Sequence, residues 1–154
     1  MKILTKQSDN TVKFYSTRKP WGHFSNFSLH PIEIDGKVWP TSEHYFQAQK
    51  FAGTEHEEAV RLTETPGDSA RMGRDRSLPL RSDWEEVKDD VMRVAVEAKI
   101  RQHKDIMALL LATGDSEIIE HTTNDSYWGD GGDGSGKNML GTILMEIRAK
   151  ILSE

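Results

Sequence analysis

The stretch from Trp39 to Phe51 most constrains how this chain folds, because it joins a helix start to a mixture of rings and polar groups. Pro40 ends an extended segment, and Thr41 or Ser42 supplies a side-chain oxygen of the kind that caps a helix. A helix that only packs on a core keeps polar groups on its wet face. Here they alternate with rings, and burying an unpaired polar group costs about 1–3 kcal/mol. The stretch therefore predicts a helix that carries a functional site.

The residues before this helix predict β structure and loop. Val12–Tyr15 is a candidate strand. Ile32–Ile34 and Lys37–Trp39 flank Asp35-Gly36, which is the strongest short signal for a β-hairpin.

After Thr41 the pattern is helical, and strands followed by helices indicate the α+β class. We therefore expect one helix-dominated domain over residues 1–154, with a small antiparallel β-sheet near the N-terminus. Start and stop signals predict a helix from Thr41 or Ser42 to near Gly53, and a second from Thr54 to Thr63 that Pro66-Gly67 stops. A short basic helix or turn follows at Ala70–Arg74, and a capping box at Ser82 and Glu85 opens the longest helix. The remaining elements are a helix from Asp105 to Gly114, a loop over Asn124–Gly136, and a last helix capped by Asn138.

Composition excludes several classes of function. A net charge of -5 and a pI near 5.7 argue against general nucleic-acid binding. The absence of cysteine excludes disulfides and thiolate metal sites, and the scattered histidines predict no metal site. No apolar run approaches the roughly 18 residues of a membrane span. Met1–Lys6 is too polar for a signal peptide, so we expect a cytoplasmic protein.

The first candidate site lies on the helix after Thr41. Glu43, Phe46, Gln47 and Lys50 recur at steps of three and four residues, so they share one helix face. The alternative is a solvated stripe in which Glu43 only stabilises the first turn through the helix dipole.

The second candidate is the glycine-rich loop around Tyr127, Trp128 and Asp130. Bulky rings in a surface loop either anchor it in the core or form a stacking platform, and an acidic turn with one buried anchor remains the alternative. Gly131–Asn138 falls one residue short of a P-loop, and Asn138 replaces the hydroxyl that would hold magnesium, so this motif is rejected.

Two weaker features complete the candidates. Arg71, Arg74 and Arg76, with Arg81 just beyond, form a local basic cluster that suits a phosphate clamp, although spacing alone favours a solvated basic turn that pairs with nearby acids. Phe24 and Asn26 lie in a loop of rings and an amide, which fits either core packing or a base-binding lip.

Taken in order along the chain, these segments resemble the NADAR superfamily, whose bacterial stand-alone members are the YbiA-like N-glycosidases. The resemblance covers nearly the whole chain. It rests on Phe24–Phe27, Trp39–Phe51, Ala70–Arg74, Trp84 with Val91-Met92, Trp128–Asp130, and Gly136–Gly141 running on to Ile147-Arg148.

The resemblance implies an enzyme that cleaves an N-glycosyl bond to ribose without a metal or other cofactor. YbiA-like members act on phosphorylated early intermediates of riboflavin synthesis, and other NADAR members remove ADP-ribose from guanine. It also implies that the charged helix and the Trp-Gly-Asp loop line one pocket. Glu43, Lys50 and Asp130 are carried over as catalytic residues, with Trp128, Trp84 and Asn138 as binding residues.

The chemistry agrees with these residue types. Cleaving a ribosyl C–N bond develops positive charge on the sugar, which a carboxylate stabilises. An aromatic plane holds the base, and Arg74 anchors a phosphate. Direct water attack and an imine route through Lys50 both remain open.

The expected partner is a small phosphoribosyl or ADP-ribosyl compound, with no membrane partner and no predicted oligomeric state. Three other readings remain beside the N-glycosidase: an ADP-ribosyl hydrolase acting on guanine bases, a non-catalytic module that binds NAD or ADP-ribose, and a structural or interaction protein with incidental polar groups. The joint presence of Glu43, Lys50 and Asp130 argues against a mere binding module.

Overall fold

The computed structural model describes residues 10–154, and the segment considered above as a possible signal peptide lies outside that range. The described residues confirm a helix-dominated α+β fold. Its elements are β1 Thr11–Phe14, β2 Ile32–Ile34, β3 Lys37–Trp39, α1 Ser42–Gln49, α2 Glu55–Arg61, α3 Pro66–Arg74, α4 Trp84–Gln102, α5 Lys104–Ala112, β4 Glu117–Glu120 and α6 Met139–Leu152. None of the helices within residues 10–154 is long and apolar enough to cross a membrane.

The described residues group into two compact units, one formed by residues 29–102 and the other by residues 10–28 with 103–154. The prediction of one domain over the whole chain stays a prediction.

The first unit is built on the predicted β2–β3 hairpin, which is confirmed. Asp35 and Gly36 have φ angles of 53° and 82°, the left-handed pair that a two-residue hairpin turn requires. Ile32 pairs with Trp39, and both side chains are buried. They form one core with Ala48 of α1, Phe51 in the turn after it, Val60 of α2 and Ala95 of α4.

Local caps start the first two helices of this unit. The Thr41 hydroxyl accepts a hydrogen bond from the His44 N–H at 3.1 Å, so α1 begins as predicted. The Thr54 hydroxyl caps α2 through the His56 N–H. The predicted capping box is incomplete, because Glu57 accepts from the Gly53 N–H instead of closing on the cap residue.

Three predicted helix boundaries differ from the structure. Helix α1 ends at Gln49 rather than near Gly53. Pro66-Gly67 was predicted to stop a helix but opens α3, since proline has no N–H to leave unpaired at a helix start and its φ already suits a helix. Helix α4 begins at Trp84 rather than at the Ser82 capping box. The three- and four-residue spacing of apolar residues in α4 predicts a buried face that includes Val94, but Val94 is exposed, whereas Met92 and Val96 are buried.

The second unit contains a strand that the sequence analysis missed. Strand β4 pairs in parallel with β1, with Thr11 opposite Glu117 and Phe14 opposite Glu120. Helix α6 packs on β4. A Cβ on Gly141 would lie 2.0 Å from the Ile118 carbonyl oxygen, so this contact requires glycine. Strand β4 has only four residues and begins and ends with a glutamate. Because its partner strand β1 lies about a hundred positions earlier in the chain, little local pattern marks it.

Candidate active site

The candidate residues fall into one cluster in each unit, and the first lies on α1. Glu43 and Gln47 are each only 8% exposed, so the solvated-stripe alternative does not hold for them. The Gln47 Nε2 donates a hydrogen bond to the Glu43 Oε2 at 2.8 Å. This buried carboxylate is therefore held in place from the next turn of its own helix.

Lys50 ends the same helix face and is half-buried. Its Nζ donates to the Gly73 carbonyl oxygen at 3.3 Å and lies 5.9 Å and 5.8 Å from the ring centres of Phe46 and Trp84. Burial first, and the Arg76 charge second, lower the pKa of Lys50 from 10.5 to about 8. Glu43 opposes these effects but does not cancel them. A substantial fraction of Lys50 is thus neutral near neutral pH.

The arginine cluster divides by its contacts. Arg71 pairs with Asp68, which fits the solvated basic turn. Arg81 binds Asp83 through both Nε and Nη2, so it has a structural partner. Arg76 donates to the Gly73 carbonyl oxygen, the same atom that accepts from Lys50.

Arg74 and Arg76 are the two members that suit an anion. Both are exposed, and the charges of both lower the pKa of Lys50. A multiply charged anion placed beside them would offset this concentration of positive charge.

Trp84 packs against the cluster on α1 that contains Glu43 and Lys50. It is 6% exposed, and its ring lies edge-on to Phe46 with the ring centres 5.1 Å apart. The rings of Trp84 and Phe46 place apolar surface beside the Lys50 amine, which contributes to the burial that lowers its pKa.

The second cluster is the loop between β4 and α6, where Asp130 is the most connected side chain. Its Oδ1 accepts from the Thr122 and Gly132 N–H groups at 3.0 and 2.8 Å, and its Oδ2 lies 2.8 Å from the His121 Nδ1. Burial raises the pKa of Asp130, but these hydrogen bonds outweigh it and the net pKa is lowered. These are the contacts of a loop-stabilising residue, and its catalytic role stays a prediction.

The same loop supplies the start of α6. The carbonyl oxygens of Tyr127 and Trp128 accept from the Met139 and Leu140 N–H groups at 2.9 and 3.1 Å. These bonds replace a side-chain cap and favour a fixed loop over a mobile lid. Trp128 is partly exposed, with its ring edge-on to Tyr127 at 4.9 Å.

Asn138 begins α6 as predicted, but its side chain does not cap the helix. Its Oδ1 accepts from the Glu120 N–H and its Nδ2 donates to the Ile118 carbonyl oxygen, both at 2.9 Å. The amide therefore pairs with β4 as a neighbouring strand would. Its role in substrate binding stays a prediction.

Phe24 and Asn26 are both buried. The Phe24 ring stacks on Trp21 at 5.9 Å and meets Phe14 edge-on at 5.8 Å. This arrangement favours core packing over a base-binding lip for Phe24, and a substrate contact from either residue stays a prediction.

Comparison with known proteins decides the family. Residues 13–152 match the NADAR domain. The chain is 56% identical to N-glycosidase YbiA of Escherichia coli K12, with 99% of this chain and 96% of that protein covered. The chain belongs to the NADAR family.

Two further matches place it among YbiA-like members. The NMR structure of E. coli YbiA superposes with a TM-score of 0.88 at 54% identity, covering 98% of this chain and 90% of that one. A riboflavin biosynthesis protein of Vibrio vulnificus is 40% identical over 93% of this chain, which corresponds to 39% of that protein.

Several contacts in this NADAR protein escaped the sequence analysis. The sequence places Gln47 on the helix face but predicts no role for it, includes Gly73 only within a family motif, and does not mark His121. The spacing of Gln47 from Glu43 was the available signal. Gly73 contacts Gln47 and Lys50 of another helix segment, and His121 lies nine residues from Asp130, so no local spacing marked these contacts.

Proposed function

We propose that this protein hydrolyses the bond between ribose phosphate and a pyrimidine-type base in early intermediates of riboflavin biosynthesis. It is a hydrolase acting on N-glycosyl bonds, as its near full-length relative N-glycosidase YbiA indicates. The riboflavin biosynthesis protein of V. vulnificus supports the narrower substrate class.

The observation that carries this proposal is the environment of Lys50. At pH 7.5 a lysine with a pKa of about 8 is roughly 24% neutral, against roughly 0.1% for an ordinary lysine. Only the neutral amine is a nucleophile. Glu43 is held on the same helix face by Gln47, so an amine and a carboxylate serve one reaction centre.

Glu43 acts on the charge that develops at the sugar. As the C–N bond breaks, the anomeric carbon gains positive charge, and a buried carboxylate stabilises that charge more strongly than one in water. In direct hydrolysis Glu43 also accepts the proton of the attacking water, and the departing base takes up a proton.

Lys50 offers the second route. When the ribose ring opens, C1′ is double-bonded to the base nitrogen, and the neutral Lys50 Nζ adds to that carbon. The base leaves as its amine after taking up a proton, and an imine joins Lys50 to the sugar. Water then hydrolyses the imine and restores the lysine. One water is consumed overall, as in direct hydrolysis.

The phosphate is assigned to Arg74 and Arg76. Both side chains are exposed and placed to lower the pKa of Lys50 by their charge. Guanidinium groups bind phosphate oxygens through two parallel hydrogen bonds. A bound phosphate would offset the charges of Arg74 and Arg76 and so raise the pKa of Lys50 somewhat. The apparent pKa in the pH profile of kcat should therefore be higher than the one in the profile of kcat/KM.

The test is base release from a ribosylaminopyrimidine phosphate, with ADP-ribosylated guanosine as the competing substrate. Faster turnover of the ribosylaminopyrimidine phosphate supports the proposal. Turnover of ADP-ribosylated guanosine alone would replace the proposed function with that of an ADP-ribosyl hydrolase. Borohydride added during turnover decides the route. A sugar adduct on Lys50, absent from Lys50→Arg, supports the imine, and turnover unaffected by borohydride supports direct water attack.

A further inference from the structure

Gly73, near the end of α3, meets three side chains of the Glu43–Lys50 cluster. Its carbonyl oxygen accepts from the Lys50 Nζ at 3.3 Å and from Arg76. On its other side, a Cβ built on Gly73 would lie 1.8 Å from the Gln47 Oε1 and 3.3 Å from the Lys50 Nζ. The bare α-carbon and the carbonyl of one residue therefore both form part of the site.

The orientation of Gln47 is fixed by Glu43. Its Nε2 donates to the Glu43 carboxylate, and exchanging nitrogen and oxygen would place two acceptors together. The Gln47 Oε1 is buried and has no hydrogen-bond partner among the described residues. It faces the α-carbon of Gly73, since a Cβ built there would lie 1.8 Å from it, and this placement suits a weak C–H···O contact.

We propose that Gly73 is a positioning residue of this active site: its missing side chain makes room for Gln47, which holds Glu43, and its carbonyl holds Lys50. The inference rests on the proposed function and adds to it the residue that aligns the two catalytic side chains.

Backbone conformation does not account for a glycine here. Gly73 lies within α3, and its φ is outside the left-handed region that favours glycine. Alanine would strengthen a helix interior by about 1 kcal/mol over glycine. The atoms that a Cβ would meet belong to the far ends of two flexible side chains, which can swing away. Alanine at this position should therefore fold normally and misalign the site.

The experiment compares Gly73→Ala with Gly67→Ala in the same helix. A Cβ on Gly67 would have one neighbour, the Thr65 Oγ1 at an ordinary 3.7 Å. We expect both variants to melt within a few degrees of the wild type. Gly67→Ala should keep kcat within about twofold, and Gly73→Ala should lose about 10²-fold in kcat with KM little changed, the effect of a misplacement near 1 Å. Unchanged kcat in Gly73→Ala would overturn the proposal.

A second comparison separates this mechanism from general damage to the site. In a Gln47→Ala background the colliding side chain is gone, so Gly73→Ala should cost far less in kcat than it does in the wild type. An equal cost in both backgrounds would show that Gly73 acts by some other means.

A readout without turnover keeps this inference separate from the proposed reaction. NMR of isotope-labelled lysine side chains should show Lys50, assigned with Lys50→Arg, titrating near pH 8 in the wild type and in Gly67→Ala. In Gly73→Ala its pKa should rise toward 10.5, because the displaced amine is better solvated. If no ribosyl substrate is turned over, the reaction is refuted while this titration still decides the role of Gly73. An identical titration in all three proteins overturns that role.

Discussion

Replacing Lys50 with methionine is expected to stabilise the folded protein at neutral pH while removing the amine from the site. Lys50 has a folded pKa of about 8 against 10.5 in a free side chain. That difference, at 1.36 kcal/mol per pKa unit, corresponds to at most about 3.4 kcal/mol of desolvation and repulsion. Because Lys50 is only half-buried, solvent screening reduces this figure to about 1–2 kcal/mol. Methionine has a similar length, suits the rings of Phe46 and Trp84, and carries no charge to desolvate.

The sign follows from proton binding. Between about pH 8 and 10.5 the unfolded chain holds a proton on Lys50 that the folded protein has released, so the free energy of unfolding of the wild type rises with pH in this window. Below about pH 8 the full cost of the charged amine is present. The stability advantage of Lys50→Met should therefore be greatest at pH 7 and fall to about a quarter of that value by pH 10.

The assay is urea denaturation of both proteins at several values between pH 7 and pH 10. Taking the difference between the two proteins cancels other titrating groups, and the exposed Lys104→Met serves as a control because its side chain carries no burial cost. A pH-independent difference, or destabilisation by Lys50→Met at pH 7, would refute the reasoning. On the imine route, base release should be lost at every pH.

Three further outcomes are expected. Glu43→Gln should fold, since the Gln47 amide can still donate to the new side-chain oxygen, but should lose at least about 2–3 kcal/mol of transition-state stabilisation, roughly 30- to 150-fold in kcat. Arg74→Ala and Arg76→Ala should each raise KM for the phosphorylated substrate about tenfold or more, with little effect on its dephosphorylated form. Asp130→Asn should lower the free energy of unfolding by about 1–3 kcal/mol, because it weakens three hydrogen bonds to the loop.

A specific result would contradict each of these three predictions. Near-normal kcat in Glu43→Gln would return that carboxylate to a helix-stabilising role. Equal KM changes for the phosphorylated and dephosphorylated substrates would show that Arg74 and Arg76 do not bind the phosphate. Arg71→Ala is the control, because Arg71 pairs with Asp68. Unchanged stability with a large loss of kcat in Asp130→Asn would favour the catalytic role predicted from sequence.

Short-range signals account for what the sequence predicted well. Asp35-Gly36 supplies the two left-handed residues of the hairpin, and Thr41 supplies the cap of α1, so both boundaries depend on a few adjacent residues. The shared face of Glu43, Gln47 and Lys50 follows from the helical repeat alone. Prediction failed where a signal had two uses. Pro66 suits a helix start as well as a helix end, and only the cap from Thr65 distinguishes the two.

The sequence by itself determined the hairpin, the order of helices and the helix that carries Glu43 and Lys50, because each depends on residues a few positions apart. It also determined the family resemblance, which depends on short motifs and their order along the chain. Tertiary structure alone decided the parallel pairing of β4 with β1, the contact of Lys50 with Gly73, and the lowered pKa of Lys50. Those features join residues distant in the chain or depend on how much water packing removes. No local pattern encodes either quantity, since both depend on which side chains folding brings together.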